Sequence, residues 1–364
     1  MPAQLPEAGS LGSTPDIGAR KADHLDLCQG DEVGFRAKTT LLECVTLLHQ
    51  SLPELAAAEV STSIDLLGRQ LRAPLVIAAM TGGHERAADI NRALATAAQQ
   101  QGLGFGLGSQ RAMQRDADMR WTYQVREWAP DVLLLGNIGV VQARDTATKD
   151  LDLLIRDVGA DALCVHLNPA MELIQADGDR DFRGCVKTLE RLCNELSVPV
   201  IAKETGNGLS PQTIDKLAGA GVSHVDTSGA GGTSWVGVEA LRANGPRRAL
   251  GNQLWDWGVP TAASVGYAAR ASMTVIATGG VRSGMDVARA ISLGADAGGI
   301  ARPVLQALTR HGSNGLRSYL DEVVQELRTV MLLTGSRTVS DLRAAPRLIA
   351  GELAAWLALT TGTP

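Results

Sequence analysis

Residues 166–184 read HLNPAMELIQADGDRDFRG, where the apolar run ADALCVHLN ends in His166 and Asn168 and gives way to Glu172, Gln175, Asp177, Asp179, Arg180 and Asp181. Imidazole, amide and carboxylate groups together at a strand end could bind a cation or hold a polar ligand. They could equally form a polar loop capping the next helix. Lys203 closes a second apolar run in IAKETG. There it could form a Schiff base, pair with a phosphate or face an electron-rich carbonyl. Later, ATGGVRSG and GGIARP each join glycines to an arginine, Arg282 and Arg302. Glycines admit close backbone approach and the following helix N-termini offer N–H groups, so these loops predict a phosphate site. DTSGAGGTSW, residues 226–235, adds a loop of small hydroxyl and glycine residues suited to an anion.

Such groups need elements that bring them to one place. From residue 74 onward, short apolar runs alternate with amphipathic segments. The runs are PLVIAAMTGG, GFGLGSQ, VLLLGNIG, ADALCVHLN, PVIAKETGN, SHVDTSG, TVIATGGV and DAGGIAR. The segments between them, such as HERAADINRALATAAQQQ and SGMDVARAISLGA, carry apolar residues at helical spacing. Continuous apolar strands are buried on both faces, as in a parallel sheet. Eight strand–helix units predict a (β/α)8 TIM barrel with an N-terminal extension and C-terminal helices. A doubly wound sheet would more often carry G-x-G-x-x-G after its first strand, a spacing GFGLG lacks.

A barrel directs its chemistry to the C-terminal ends of its strands. The residues expected there are Thr81, Ser109–Arg111, Asn137, His166, Asn168, Lys203, Glu204, Thr227, Ser228, Gly279, Gly280, Ala301 and Arg302. Before the barrel, residues 1–16 read as a disordered leader and GARKADHLDL as an arm. TTLLECVTLLHQSLPEL reads as a helix, and STSIDLLGRQL as a hairpin plugging the barrel's bottom. After it, LRSYLDEVVQELRTVMLLTG and VSDLRAAPRLIAGELAAWLAL read as helices that close the outer ring or form an oligomer interface. The second of these starts at a Ser340 cap. The segment VGVEALRANGPRRALGNQLWDWGVP could act as a lid, with Trp255 and Trp257 as pocket wall.

Composition narrows the function class. The chain has 364 residues, 45% hydrophobic and only 3% aromatic, so its core must be aliphatic. A net charge of −5 argues against a nucleic-acid or membrane-surface protein, while a local basic cluster could still take an anionic substrate. The apolar runs are too short to span a bilayer, and the N-terminus lacks the pattern of a secretory signal. Five cysteines without a C-x-x-C pair fit reduced cytoplasmic thiols and no structural zinc.

From Arg20 to Leu305 the chain carries RKADHL, AAMTGG, GLGSQR, GNIG, HLNP, GDRDF, KETGNG, DTSGAGGTSW, TGGVRSG and IARPVL in that order. In this order and spacing it resembles the type 2 isopentenyl-diphosphate isomerases, flavin-dependent members of the FMN-binding barrel enzymes. The resemblance implies one FMN-binding barrel over residues 17–364, arm included, in a cytoplasmic homo-oligomer (tetramer or octamer). The implied activity interconverts isopentenyl and dimethylallyl diphosphate by a 1,3-allylic proton shift. It needs reduced FMN, with NADPH as reductant, and Mg²⁺. By motif, FMN is expected at Ala79, Met80, Thr81, Ser109, Asn137, Lys203, Ser228, Thr233, Gly280, Val281, Arg282, Ala301 and Arg302. The prenyl diphosphate is expected at Arg20, Lys21, Ser109, Gln110, Arg111, His166 and Asn168, with Glu172 at the metal. Catalysis is expected around His166, Asn168 and position 171.

One position departs from the family pattern. Met171 stands where that pattern has Gln; a thioether fills space but donates no proton. Gln175, one helical turn onward, carries an amide. Three other readings are weighed against these residues. An FMN-barrel oxidoreductase acting on 2-hydroxy acids wants a His base near the later strand ends, yet DTSGAGGTSW offers none and His224 precedes its strand end. The related dehydrogenases with a Cys nucleophile find no Cys beyond Cys193. A non-catalytic relative that binds FMN or a prenyl diphosphate is favoured by Met171 and opposed by Glu172, Lys203 and Arg111.

Overall fold

Eight of the apolar runs form parallel strands that close into a ring. They are β1 (Leu75–Ile77), β2 (Gly104–Gly106), β3 (Leu133–Gly139), β4 (Ala162–Leu167), β5 (Val200–Glu204), β6 (His224–Asp226), β7 (Thr274–Ala277) and β8 (Ala297–Ile300). The last strand closes on the first, with Gly298 opposite Leu75 and Ile300 opposite Ile77. This is the (β/α)8 barrel expected from the alternation of runs. The computed structural model describes residues 17–30 and 32–359; the leader assigned to residues 1–16 lies outside the described residues.

Aliphatic side chains fill the barrel, as the scarcity of aromatics requires. Val76, Leu133, Leu135, Cys164, Ile201 and Ile276 pack inside the ring, and Leu66 and Leu71 join them from below. Those two leucines belong to a hairpin, Ile64–Leu66 paired with Arg69–Leu71. Its two-residue turn places Leu67 and Gly68 at φ of 53° and 76°, the twist that matches antiparallel strands. The expected plug is therefore present at the strands' N-terminal end.

The helices begin where short polar caps predict. His84, Ser210 and Ser283 each accept a backbone N–H three residues on, opening Glu85–Gln101, Pro211–Gly219 and Gly284–Ser292. Each such cap contributes about 1 kcal/mol. The arm is itself helical, as α1 (Ile17–Gln29), and a short α2 (Pro169–Ile174) follows β4. A long α3 (Arg302–Leu333), interrupted at Gly312, follows β8. Among the described residues, no helix is long and apolar enough to cross a membrane.

Three expectations are corrected. TTLLECVTLLHQSLPEL forms a single 3-10 turn (Leu42–Cys44) and a strand (Val45–Leu47) that pairs antiparallel with Arg347–Ile349. A partner three hundred residues away in the chain overrides the local helical spacing. The C-terminal VSDLRAAPRLIAGELAAWLAL is likewise not one helix. It breaks at Pro346 into Val339–Ala344 and Gly351–Ala358, because a proline disfavours helical backbone in the preceding residue. Its cap is Thr338, in a reciprocal pair with Asp341, and Ser340 lies inside the first turn. Finally, Trp255 is buried away from the cavity at the strand ends, donating to Gly34 O at 2.8 Å with the Arg36 guanidinium over its ring. It ties the strap after α1 to the barrel, while Trp257 is exposed; neither forms the pocket wall expected of it.

Candidate active site

At the strands' C-terminal ends lies a cavity of about 230 Å³. β1 and β2 supply Ala79, Met80, Thr81, Ser109 and Arg111; β3, β4 and β5 supply Asn137, His166, Asn168 and Lys203. The loops after β6, β7 and β8 add Ser228, Thr233, Gly280, Val281, Arg282, Ala301 and Arg302. Arg20 and Lys21 reach it from α1, Met171 and Glu172 from α2, and Gln175 from the position that ends α2. Of the residues expected at the strand ends, Gln110, Glu204 and Thr227 do not line the cavity, and Gln110 is turned away behind Asn137. It is fully buried; its amide donates to Leu154 O at 3.1 Å and its oxygen accepts from Asn137 N at 2.9 Å. Gln110 thus supports Asn137 from behind.

Two glycine loops press together on the β6–β7 side. Gly279 and Gly280 take φ of 94° and 81°, values only glycine adopts without strain. A Cβ on Gly232 would lie 2.3 Å from Gly280 N, so the two loops approach to backbone contact. The glycines let the two loops meet closely while Gly232, Gly279 and Gly280 still line the cavity, and with Arg282 and Arg302 in the same wall this small-residue cradle could receive a phosphate.

Next to it, the ammonium of Lys203 lies 3.0 Å from Asp226, both nearly buried. Asp226 also accepts from the Thr278 hydroxyl. Glu204, the following residue, faces away from the cavity. Its Oε2 accepts backbone N–H groups of Thr205, Gly206, Asn207 and Gly208 at 2.5–2.9 Å and so shapes the loop after Lys203. Burial pushes this carboxyl up to about 7.

On the far wall His166 Nδ1 stands 2.8 Å from Asn137 Oδ1. With the amide in that orientation the imidazole donates through Nδ1, and Nε2 is left as an acceptor. Burial, and then the cations Lys203, Arg111 and Lys21, hold this His down at about 3. It is neutral throughout the physiological range. Because the folded value lies below the unfolded one near 6.5, the unfolded chain binds a proton that the folded chain refuses between those limits. The stability this contributes is fully present above pH 6.5 and is lost as pH falls towards about 3. Thermal melts between pH 7 and 4.5 should therefore decline less steeply in His166→Asn than in wild type. Parallel slopes would mean that His166 charges freely.

The acidic run after β4 resolves into one carboxylate lining the cavity. Glu172 is buried, accepting from Asn168 Nδ2 and from Asp179 N, each at 2.8 Å. Asp179 turns to Gln142 and Asp181 to Arg183. Arg180 caps the end of α2, donating to the Glu172 and Gln175 carbonyls.

Three cations gather opposite. Lys21 donates to Gly82 O (2.6 Å), Ser109 O (3.0 Å) and Tyr123 Oη (2.9 Å), which occupies all its donors. It pins α1 across the mouth. Burial, with Arg20 and Arg111 nearby, brings its ammonium down to about 7. Arg20 and Arg111 each hold a buried Nε without a hydrogen-bond partner. Such an unmet donor costs about 1–3 kcal/mol, which an anion in the cavity would offset.

Sequence reasoning missed a further cluster. His24, on α1, meets Glu239 at 2.7 Å and the edge of Trp235 at a centroid distance of 5.2 Å; Arg242 pairs with the other Glu239 oxygen at 2.9 Å. His24 and Trp235 line the cavity. The available signal was spacing, since Arg20 and His24 share a face once the arm is helical.

Known proteins resemble this chain at both levels. Residues 16–126 and 166–349 match the FMN-dependent dehydrogenase family. The chain is 43% identical over 345 residues to an isopentenyl-diphosphate delta-isomerase of Methanothermobacter thermautotrophicus, covering 94% of this chain and 96% of that one. It is 47% identical over 337 residues to an isopentenyl-diphosphate delta-isomerase of a Synechococcus species, covering 92% and 97%. In fold it is similar to a flavocytochrome b2 variant with sulfite bound (TM-score 0.67, 21% identity, 94% of this chain and 85% of that one). Mandelate oxidase with (S)-4-hydroxymandelic acid is also similar (TM-score 0.63, 20% identity, 90% and 95%).

Proposed function

The chain belongs to the isopentenyl-diphosphate delta-isomerases of the FMN-dependent dehydrogenase family, and we propose that it moves the double bond of isopentenyl diphosphate to give dimethylallyl diphosphate, and back, with reduced FMN and Mg²⁺. The observation that carries this reading is the pair of anion sites in one cavity. The glycine cradle with Arg282 and Arg302 suits the single phosphate of FMN. Arg20 and Arg111, whose buried Nε donors are unmet, suit a second anion, the diphosphate of the substrate.

The donor set also fits the cofactor and the metal. FMN would be held by the strand-end residues from Ala79 to Arg302, with Lys203 as the cation at its ring. When bound and reduced, FMN supplies ring nitrogens able to hold and release a proton. A redox-neutral isomerisation consumes no hydride, so a reductant such as NADPH is needed only to bring the flavin to its working state. Among the described residues no group of three His, Cys, Asp or Glu side chains gathers. Mg²⁺ would therefore take Glu172 as its protein carboxylate and complete its shell with diphosphate oxygens and water.

Each residue then has a part. Arg20 and Arg111 bind the diphosphate, and Asn168 keeps the Glu172 carboxylate aimed. His166, neutral, accepts through Nε2, and its one N–H is held at Nδ1 by Asn137. Met171 and Trp235 give the allyl chain apolar walls that exclude water from a cation-like transition state. No proton can pass through the Met171 thioether. A 2-hydroxy-acid oxidoreductase is less well served, since the imidazoles lining the cavity are His24, bound to Glu239, and His166, bound to Asn137.

Incubation of the purified protein with isopentenyl diphosphate, reduced FMN and Mg²⁺ should yield dimethylallyl diphosphate; absence of product under all these conditions would overturn the proposal. In the same assay Glu172→Gln should shift the Mg²⁺ dependence to higher concentration while FMN binding is unchanged. An unaltered Mg²⁺ profile removes Glu172 from the metal site.

A further inference from the structure

Buried side-chain amides in folded proteins are hydrogen-bonded almost without exception. Gln175 is such an amide: its residue is 3% exposed and its side chain lines the cavity, yet neither Nε2 nor Oε1 has a partner. Its fold role is carried by the backbone. Gln175 N donates to Met171 O to close the last turn of α2, and Gln175 O accepts from Arg180. The side chain is left with two donors and an acceptor unspent inside the pocket.

The neighbours indicate what meets it. Glu172 lies on α2 and Gln175 is the residue that ends it, three positions on, and both side chains line the same cavity. The other α2 residue in the wall, Met171, offers no strong donor or acceptor. We propose that Gln175 is a substrate-binding residue at the diphosphate–metal end of the pocket. Its Nε2 donates to a diphosphate oxygen, and its Oε1 accepts from water on the cation that Glu172 holds. Both unmet atoms are then satisfied by one ligand, and the amide fixes the diphosphate against α2. This inference rests on the reading of the cavity as a prenyl-diphosphate site.

The test uses holoenzyme with FMN and compares wild type with Gln175→Met, close in size and free of the amide, and Gln175→Leu. In the presence of Mg²⁺, the Kd for inorganic diphosphate measured by titration calorimetry and the KM for isopentenyl diphosphate should both rise about tenfold, the loss of a hydrogen bond to a charged group. FMN affinity and Tm should not change, because no protein–protein hydrogen bond is removed. A Kd and KM equal to wild type in either folded variant overturns the proposal. So does a fall in Tm with unchanged Kd, which would make the amide structural. Wild-type protein that binds diphosphate but shows no turnover would instead count against the isomerase reading, with the calorimetric comparison still deciding Gln175.

Discussion

Lys203→Met is expected to lower stability by about 3–5 kcal/mol and to strip the protein of FMN, because it leaves a buried anion without its counter-charge. Asp226 is 4% exposed, and with Lys203 gone its remaining side-chain partner among the described residues is the Thr278 hydroxyl. Stability and cofactor loss are separable. In Lys203→Met/Asp226→Asn both charges are removed, so most of the folding free energy should return while FMN affinity stays low. Chemical denaturation gives the first quantity and flavin fluorescence titration the second. Should the double variant bind FMN like wild type, Lys203 serves the barrel and not the cofactor.

Arg111→Ala is expected to raise KM for isopentenyl diphosphate by about 10- to 150-fold, the equivalent of roughly 1.5–3 kcal/mol for a charged hydrogen bond. Its effect on FMN affinity should be small, since the glycine cradle lies on other strands. Arg111→Lys should restore part of the loss, because an ammonium supplies charge without the planar two-pronged fit to phosphate oxygens. Steady-state kinetics at saturating Mg²⁺ decide it. An unchanged KM would place the diphosphate elsewhere in the cavity.

The barrel was legible because its signal is repeated and local. Each apolar run buries both faces, and each following helix announces itself with a cap such as Ser210 or Ser283. The strand ends were legible for the same reason: once eight runs are aligned, each contributes at least one residue to a single mouth. What could not be read depends on distance along the chain. The strand Val45–Leu47 exists only because Arg347–Ile349 pairs with it. Lys21, expected at the diphosphate, lines the cavity, but its bonds to Gly82, Ser109 and Tyr123 join segments 61 to 102 residues away and could not be read from its motif. Gln110 belongs to a strand-end motif, yet its side chain turns inward because Asn137 N needs an acceptor. His24 went unread because the arm was not recognised as a helix.

Closure of the ring also sets a schedule for its making. Leu75 and Gly298 are partners roughly 220 residues apart, which at ~5–20 residues per second is about 10–45 s of synthesis. The pairing of Thr46 with Leu348 spans a still longer interval. During that time the sheet grows strand by strand with two raw edges, and the earliest segment of the chain waits for nearly the latest. A nascent chain of this design carries open, apolar strand edges until its last barrel stave emerges, so its exposure to aggregation is fixed by topology and by the rate of translation.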